Sequence, residues 1–387
     1  MITTSLLQKD PCFDGMIHEY QSILETTENL TAVYIELDSE ECLKNYGVKV
    51  ENTGDWMEIR EVLEVIIGAT NASYVIILGG ISVIPRPSLE IYCPRENPQT
   101  IPSDVWYIDF DADQIVDEGL SISRFPDLFH NSSAVVVALR NAVLLHRCGG
   151  YTLEREVHFV IGEYETPPYG VCEECTFQAE FFDLLSSSDY IDFAGHGSPT
   201  AIFNNSFEPK FTIDYMDSID LQTYNPVILS LGPCYTGVLW ADSPTLSYEF
   251  LKAGAAAFVG RTTTEGYCIG DFVEDVEDGM HIGDALFQRM RMKVMTSGCR
   301  YIYCSHHFCL YGDPTLKLRD GLPAGLIVYV DYSVPPGGTG FYVDPFSSLH
   351  EALGQMCIPR TIRMMPGSTV ITETIVIDVP VRLEKAQ

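Results

Sequence analysis

A histidine and a cysteine stand just beyond two apolar runs. Tyr190-Ile191-Asp192-Phe193-Ala194-Gly195 leads into His196-Gly197-Ser198, and Val227-Ile228-Leu229-Ser230-Leu231-Gly232 leads into Pro233-Cys234-Tyr235-Thr236-Gly237. An imidazole beside a thiol is equipment for covalent catalysis. The thiolate is the nucleophile, and a thiol of ordinary pKa near 8.5 needs a base or a cation to reach that form. His196 is the candidate base for Cys234. The N–H of Gly197, unshielded by a side chain, and that of Cys234 are candidate oxyanion donors, each such donor being worth about 2.7–4 kcal/mol in other enzymes. Taken singly, a His-Gly pair is an ordinary turn and a strand cysteine is usually core. Their joint occurrence at consecutive strand ends, each beside glycine, is what points to catalysis.

For this chemistry the two runs must be neighbouring strands of one parallel sheet, whose carboxyl edge is where open α/β sheets place their sites. The separation of His196 from Cys234 exceeds the dozen or so residues that a right-handed crossover needs. The surrounding chain has the matching alternation. Ala32–Leu37 reads as a short strand, Trp56–Ile67 as a helix on Met57, Val62, Val65 and Ile66, and Ser73–Leu78 as a buried strand. Then come strand His158–Ile161, helix Phe177–Leu185, the two strands above, helix Leu246–Ala253 and strand Ala255–Val259. This predicts an α/β fold with a mostly parallel sheet flanked by helices. Residues 1–150 are expected to form an N-terminal subdomain and 151–320 the subdomain carrying the site.

After Asp320 the pattern changes. Leu326–Asp331, Pro335-Pro336-Gly337-Gly338-Thr339-Gly340 and Asp344–Leu353 resemble the first coil of a right-handed parallel β-helix. Such a solenoid needs several stacked coils to bury its core, so 321–387 is expected to be a truncated β-rich segment.

The chain has 387 residues, 46% hydrophobic and 20% charged, a globular composition with room for two domains. Its 23 basic and 54 acidic residues give a net charge of −31. That argues against nucleic acid and against attraction to anionic membrane surfaces. No apolar run approaches the roughly 20 residues of a membrane span, and no signal peptide is visible at the N-terminus. Twelve cysteines are too sparse for a disulfide scaffold. Cys172-x-x-Cys175 and the group Cys299, Cys304, His306, His307 and Cys309 lack the matched spacing of a zinc site, so reduced or locally paired cysteines are the preferred reading. Asn29, Asn71, Asn131 and Asn204 open Asn-x-Ser/Thr tripeptides, a pattern common by chance.

Asp109, Asp111 and Asp113, followed by Asp117-Glu118-Gly119, place alternate carboxylates as calcium favours. The EF-hand pattern fails here, and a solvated acidic loop is the competing reading.

Six ordered segments resemble the gingipain family of cysteine peptidases, in the clan of the caspases. Gly195-His196-Gly197-Ser198-x-Thr200 resembles its histidine motif, and Cys234-x-x-Gly237 its nucleophile motif. The others are Tyr74–Pro85, Ser103-Asp104-x-Trp106-Tyr107, Ser123-Arg124-Phe125-Pro126 (read as a turn before a helix) and Gly312-Asp313-Pro314-Thr315. The resemblance implies a caspase-like fold, Cys234 as nucleophile, His196 as acid/base and polypeptide substrates. It offers Glu165, or Glu163, as the acid orienting the histidine. The loop Arg261–Tyr267, with Thr264, Glu265 and Tyr267, corresponds to the primary specificity pocket.

Glu173 or Glu174 would receive a basic side chain, whereas Arg261 would favour an acidic one. Cleavage after Arg or Lys is the expectation, and an acidic preference the alternative. The resemblance also suggests a secreted or cell-surface protein. No cofactor is required, calcium is admitted, and a monomer is favoured. The competing classes are a catalytically inactive binding or adhesion module with a β-helix tail, and a non-proteolytic Cys-His acyltransferase or amidase.

Overall fold

The computed structural model describes residues 1–91, 99–111, 113–147, 150, 156–160, 190–203, 206–219, 221, 227–230, 233–264, 272–297, 306–318, 327–334, 345, 347–349, 361–365 and 382–385. The chain divides into two compact units. One comprises Met1–Leu221 with Asn225–Gly321, the other Gln222–Tyr224 with Leu322–Gln387.

The first unit is built on a nine-stranded sheet. Its strands are β1 (Ile2–Thr3), β2 (Ile35–Glu36), β3 (Tyr74–Leu78), β4 (Ser121–Phe125), β5 (Glu156–Val160), β6 (Tyr190–Ala194), β7 (Val227–Ser230), β8 (Ala257–Arg261) and β9 (Phe308–Gly312). The order across the sheet is β2-β1-β3-β4-β9-β8-β7-β6-β5. Every neighbouring pair is parallel except β8 and β9, which run antiparallel from Ala257↔Gly312 to Arg261↔Phe308. The sheet is thus two parallel halves of opposite direction joined at one seam. The carboxyl ends of β6, β7 and β8 share an edge with the amino ends of β9 and β4.

Local sequence explains the elements that carry this frame. The Trp56–Thr70 helix is started by Asp55, whose carboxylate accepts from the N–H groups of Met57 and Glu58. It ends at Asn71 in the left-handed conformation. Its buried stripe is Ile59, Val62, Leu63 and Ile66, an i, i+3, i+4, i+7 set. Met57 and Val65, expected on that stripe, are 55% and 42% exposed, so the inward face is rotated from the sequence reading. The first three residues of Ser123-Arg124-Phe125-Pro126, a segment expected as a turn before a helix, instead close a fully buried strand, Ser121–Phe125, paired along β3. The Ser133–Arg147 helix behind it is buried nearly all round, as befits a helix covered by neighbours on several sides. Phe177–Leu185, expected as a helix, lies outside the described residues.

An aromatic column ties the Leu246–Ala253 helix to the site half of the sheet. Phe250 of the helix lies 5.9 Å from Phe193 of β6, 5.5 Å from Phe258 of β8 and 5.5 Å from Phe211. Each of these four rings is fully buried, and aromatic pairs of this kind add about 0.5–1.5 kcal/mol beyond area burial.

The second unit contains three short parallel strands, Ile327–Val330, Thr361–Met364 and Arg382–Lys385, paired in that order. No helix among the described residues is long and apolar enough to cross a membrane.

Candidate active site

The β6 and β7 strands pair in parallel from Tyr190↔Val227 to Asp192↔Leu229. Their carboxyl ends therefore emerge side by side, one leading to His196 and the other to Cys234. Beyond Ala194 the chain must turn sharply. Gly195 does this at φ 141, a conformation that favours glycine. His196–Ser198 then forms a hairpin with Ala201–Phe203, His196 opposite Phe203 and Gly197 opposite Ile202. The N–H of Leu246 donates to the Pro199 carbonyl at 2.7 Å, fastening the hairpin to the helix that backs the sheet.

Gly197 is the point of closest approach between the two strand ends. A Cβ there would lie 2.5 Å from the Cys234 carbonyl oxygen, 2.7 Å from Pro233 Cβ and 2.9 Å from Thr236 Cγ2. Only glycine lets the histidine hairpin sit directly on the cysteine turn.

The cysteine turn is fixed by backbone bonds to the end of β8. Tyr235 N–H donates to the Thr263 carbonyl at 3.3 Å and Gly237 N–H to the Arg261 carbonyl at 2.7 Å. Tyr235 itself has φ 61, a left-handed conformation uncommon for a non-glycine residue. The Cys234 thiol is half-buried and donates weakly to the Thr264 carbonyl at 3.6 Å. Cys234 is one of four free cysteines among the described residues, with Cys12, Cys42 and Cys309.

Behind the turn lies a buried ionic network. Asp104 receives Arg124 through Nη2 at 2.7 Å and Nε at 3.0 Å, and Arg86 through Nη2 at 3.1 Å. Burial alone would raise the Asp104 carboxyl, but Arg124 and Arg86 hold it well below the usual carboxylate range. Arg86 Nη1 then donates to the Gly237 carbonyl at 3.0 Å, and the Tyr311 hydroxyl donates to the same oxygen. Arg124 Nη1 also donates to the carbonyls of Gly79, Gly80 and Ile84. Three of the segments singled out in the sequence, around Tyr74–Pro85, Asp104 and Arg124, thus meet beneath the nucleophile turn.

The structure brings together Gly197, Cys234 and Thr264, and His196 adjoins Gly197 in the hairpin. Arg261 closes β8 next to them, but it is buried, 2% exposed, within the fold. Glu163, Glu165, Glu173, Glu174, Glu265 and Tyr267 lie outside the described residues. Sequence reasoning missed Phe207, whose ring stacks on the His196 imidazole at 4.4 Å and 20° while 68% exposed. It also missed Arg86 and Tyr311 as anchors of the turn. Their signal was indirect: Arg86 directly follows one resemblance segment, and Tyr311 directly precedes another.

On the same sheet edge, the acidic loop before β4 brings carboxylate oxygens of Asp109, Asp111 and Asp117 within 4.8 Å of one another. The sequence had grouped Asp113 with the first two. Its Oδ1 instead accepts the N–H of Ile115 at 2.7 Å. His306, His307 and Cys309, considered for zinc, are buried, and among the described residues they are not part of a metal-ligating group.

Residues 170–319 match the profile of peptidase family C25. The fold is shared with three solved structures. The complex of the RgpB pro- and mature domains of Porphyromonas gingivalis aligns with TM-score 0.61 and 13% identity, covering 82% of this chain and 79% of that one. The Arg-specific cysteine proteinase gingipain R aligns at 0.58 and 14%, covering 79% and 76%. A structure described only as a protease aligns at 0.61 and 10%, covering 83% and 78%. No curated protein sequence matches. The expected resemblance to the gingipains and the caspase-like α/β architecture stand on these findings. They support a cysteine peptidase, a hydrolase acting on polypeptides, as the class of protein.

Proposed function

We propose that the chain is an endopeptidase working through Cys234 and His196, with a preference for cleavage after Arg or Lys. The observation that carries this reading is the close seating of Gly197 on the Cys234 carbonyl at the ends of two paired parallel strands. His196 takes the thiol proton, and the Cys234 sulfur attacks the scissile carbonyl carbon. The new C–S bond places negative charge on the carbonyl oxygen, which the N–H groups of Gly197 and Cys234 receive. His196 returns the proton to the amine, the C–N bond breaks and an acyl-enzyme remains. Water, deprotonated by His196, then releases the acid and regenerates the thiol.

Preference for a basic residue has two supports. A protein of the same fold is an Arg-specific proteinase, and Arg261 is buried rather than presented openly beside Cys234. Glu165 is assigned to orient the histidine, and Glu173 or Glu174 to pair with the substrate cation. The test is turnover of fluorogenic peptides ending in Arg, Lys, Asp or Glu. Wild type should cleave the basic set, and Cys234→Ala should abolish turnover while keeping its circular dichroism and melting temperature. Unchanged turnover in Cys234→Ala would refute the nucleophile, whereas cleavage confined to Asp and Glu peptides would refute only the specificity.

A further inference from the structure

The ring that stacks on His196 has a second face turned to water. Phe207 lies 4.4 Å from the imidazole and 20° from parallel to it, yet is 68% exposed. Among the described residues no other ring packs on it. Its backbone is left-handed, at φ 59, a conformation unfavourable for a bulky side chain. A single exposed aromatic is ordinary. One held in a left-handed turn against a candidate catalytic base is not, because such strain gathers where a site needs it.

The order of the strands decides which part of a substrate reaches this ring. Along the sheet edge lie the ends of β8, β7 and β6, leading to Thr264, Cys234 and His196 in that order. The cysteine therefore sits between the segment after β8 and the histidine hairpin. His196 must hand its proton to the nitrogen that leaves, and a general acid does so from about 3 Å. That nitrogen belongs to the residue after the scissile bond, so the leaving half of the peptide lies toward β6 and the acyl half toward β8. The side chain of that residue starts two bonds from the nitrogen. It is within reach of a ring stacked on the imidazole.

We infer that the open face of Phe207 is a subsite for the residue after the scissile bond and selects an apolar side chain there, leucine or phenylalanine, over glycine or aspartate. The inference rests on the Cys234–His196 reading above. An apolar side chain laid on the ring removes surface of both from water. A carboxylate in its place would meet the negative face of the ring and, beside it, the exposed Glu208. Glycine would leave the ring uncovered.

Quenched fluorescent peptides that differ only in Gly, Leu, Phe or Asp after the scissile bond test this. One series carries Arg before that bond and a second carries Asp, each beside a methyl ester of the same acyl sequence, which has no residue after the bond. Wild type should cleave the Leu and Phe peptides with a kcat/KM roughly tenfold above the Gly peptide, the low end of what a hydrophobic subsite discriminates, and the Asp peptide more slowly still. Phe207→Asn, which suits a left-handed turn, and Phe207→Ala should each bring Leu, Phe and Gly within about twofold of one another. A general loss from a less restrained imidazole lowers the methyl ester as well and cancels in the ratio. Phe207→Leu, which keeps an apolar face, should retain most of the preference. A wild type indifferent to the residue after the bond would overturn the inference and leave the dyad standing. So would a preference kept in full by Phe207→Asn and Phe207→Ala. Turnover of no peptide and no ester would refute the dyad, and this subsite with it.

Discussion

Phe207 covers one face of the His196 ring from an exposed, left-handed position. A stacked pair of this kind is worth about 0.5–1.5 kcal/mol, enough to narrow the directions the imidazole samples. Phe207→Ala should therefore lower kcat/KM about 2–10-fold with an unchanged melting temperature, read by steady-state kinetics and calorimetry. Gly197→Ala should be far more damaging. Its methyl would sit 2.5 Å from the Cys234 carbonyl oxygen, a backbone atom that cannot swing away. Displacing the histidine hairpin by about 1 Å should cost on the order of 100-fold in kcat/KM, and wild-type kinetics in this variant would contradict the assigned geometry. The two reactive residues were legible because each ends an apolar run beside glycine. Phe207 was not, because its contact with His196 arises after the hairpin turns back, where no sequence period marks it.

At the scale of elements, the nucleophile turn is held from behind by charges that the sheet encloses. Asp104, Arg86 and Arg124 are buried together, and the Gly237 carbonyl takes both Arg86 and the Tyr311 hydroxyl. Removing one partner of a buried ion pair leaves the other uncompensated. Asp104→Ala should cost about 3–5 kcal/mol, seen as a lower urea midpoint with an unchanged m-value. A midpoint shift of a few tenths molar or less would show that the arginines find other acceptors. This network also explains where the sequence misled. Ser121–Phe125 contains Arg124 and two serines, Ser121 and Ser123, so it lacks the apolar continuity of a central strand. The strand is buried nonetheless, because Asp104 and the carbonyls of Gly79, Gly80 and Ile84 satisfy the guanidinium. By contrast, β3, β6 and β7 were readable because both faces of each need apolar side chains.

For the whole molecule, two buried histidine sites pull stability in opposite directions with pH. Burial alone would lower the His146 pKa, but Asp313 at 2.8 Å and Glu28 at 3.1 Å more than offset this and push it up to about 9. The folded chain therefore holds this proton where the unfolded chain, titrating near 6.5, has released it. Its contribution is complete below about pH 6.5 and is lost as pH rises through 9. His306, stacked on Trp106 and bonded to the Gln114 carbonyl, is pushed down to about 4 by burial. His307, beside Thr263, is pushed down to about 3 by burial and by the Arg261 and His306 charges. There the unfolded chain binds protons first, so stability falls as pH drops below about 6.5. The melting temperature should peak between about pH 6 and 7 and decline on both sides. His146→Gln should flatten the alkaline limb alone, and an unaltered alkaline limb would count against the His146 assignment.

His306 and His307 also occupy the seam where the two halves of the sheet change direction. His306 reaches the acidic loop at Gln114. His307 bonds Thr263, whose carbonyl receives Tyr235 beside the thiol. The Trp106 indole is stacked on the His306 ring, 4.0 Å away and nearly parallel to it. That indole is accordingly a built-in optical gauge placed between two distant events. With Trp56 and Trp240 replaced by phenylalanine, its emission is a single-fluorophore record of what happens at either end. Changes in the acidic loop at one end and the binding of a thiol-directed inhibitor at the other could then be followed in the same cuvette, without a substrate.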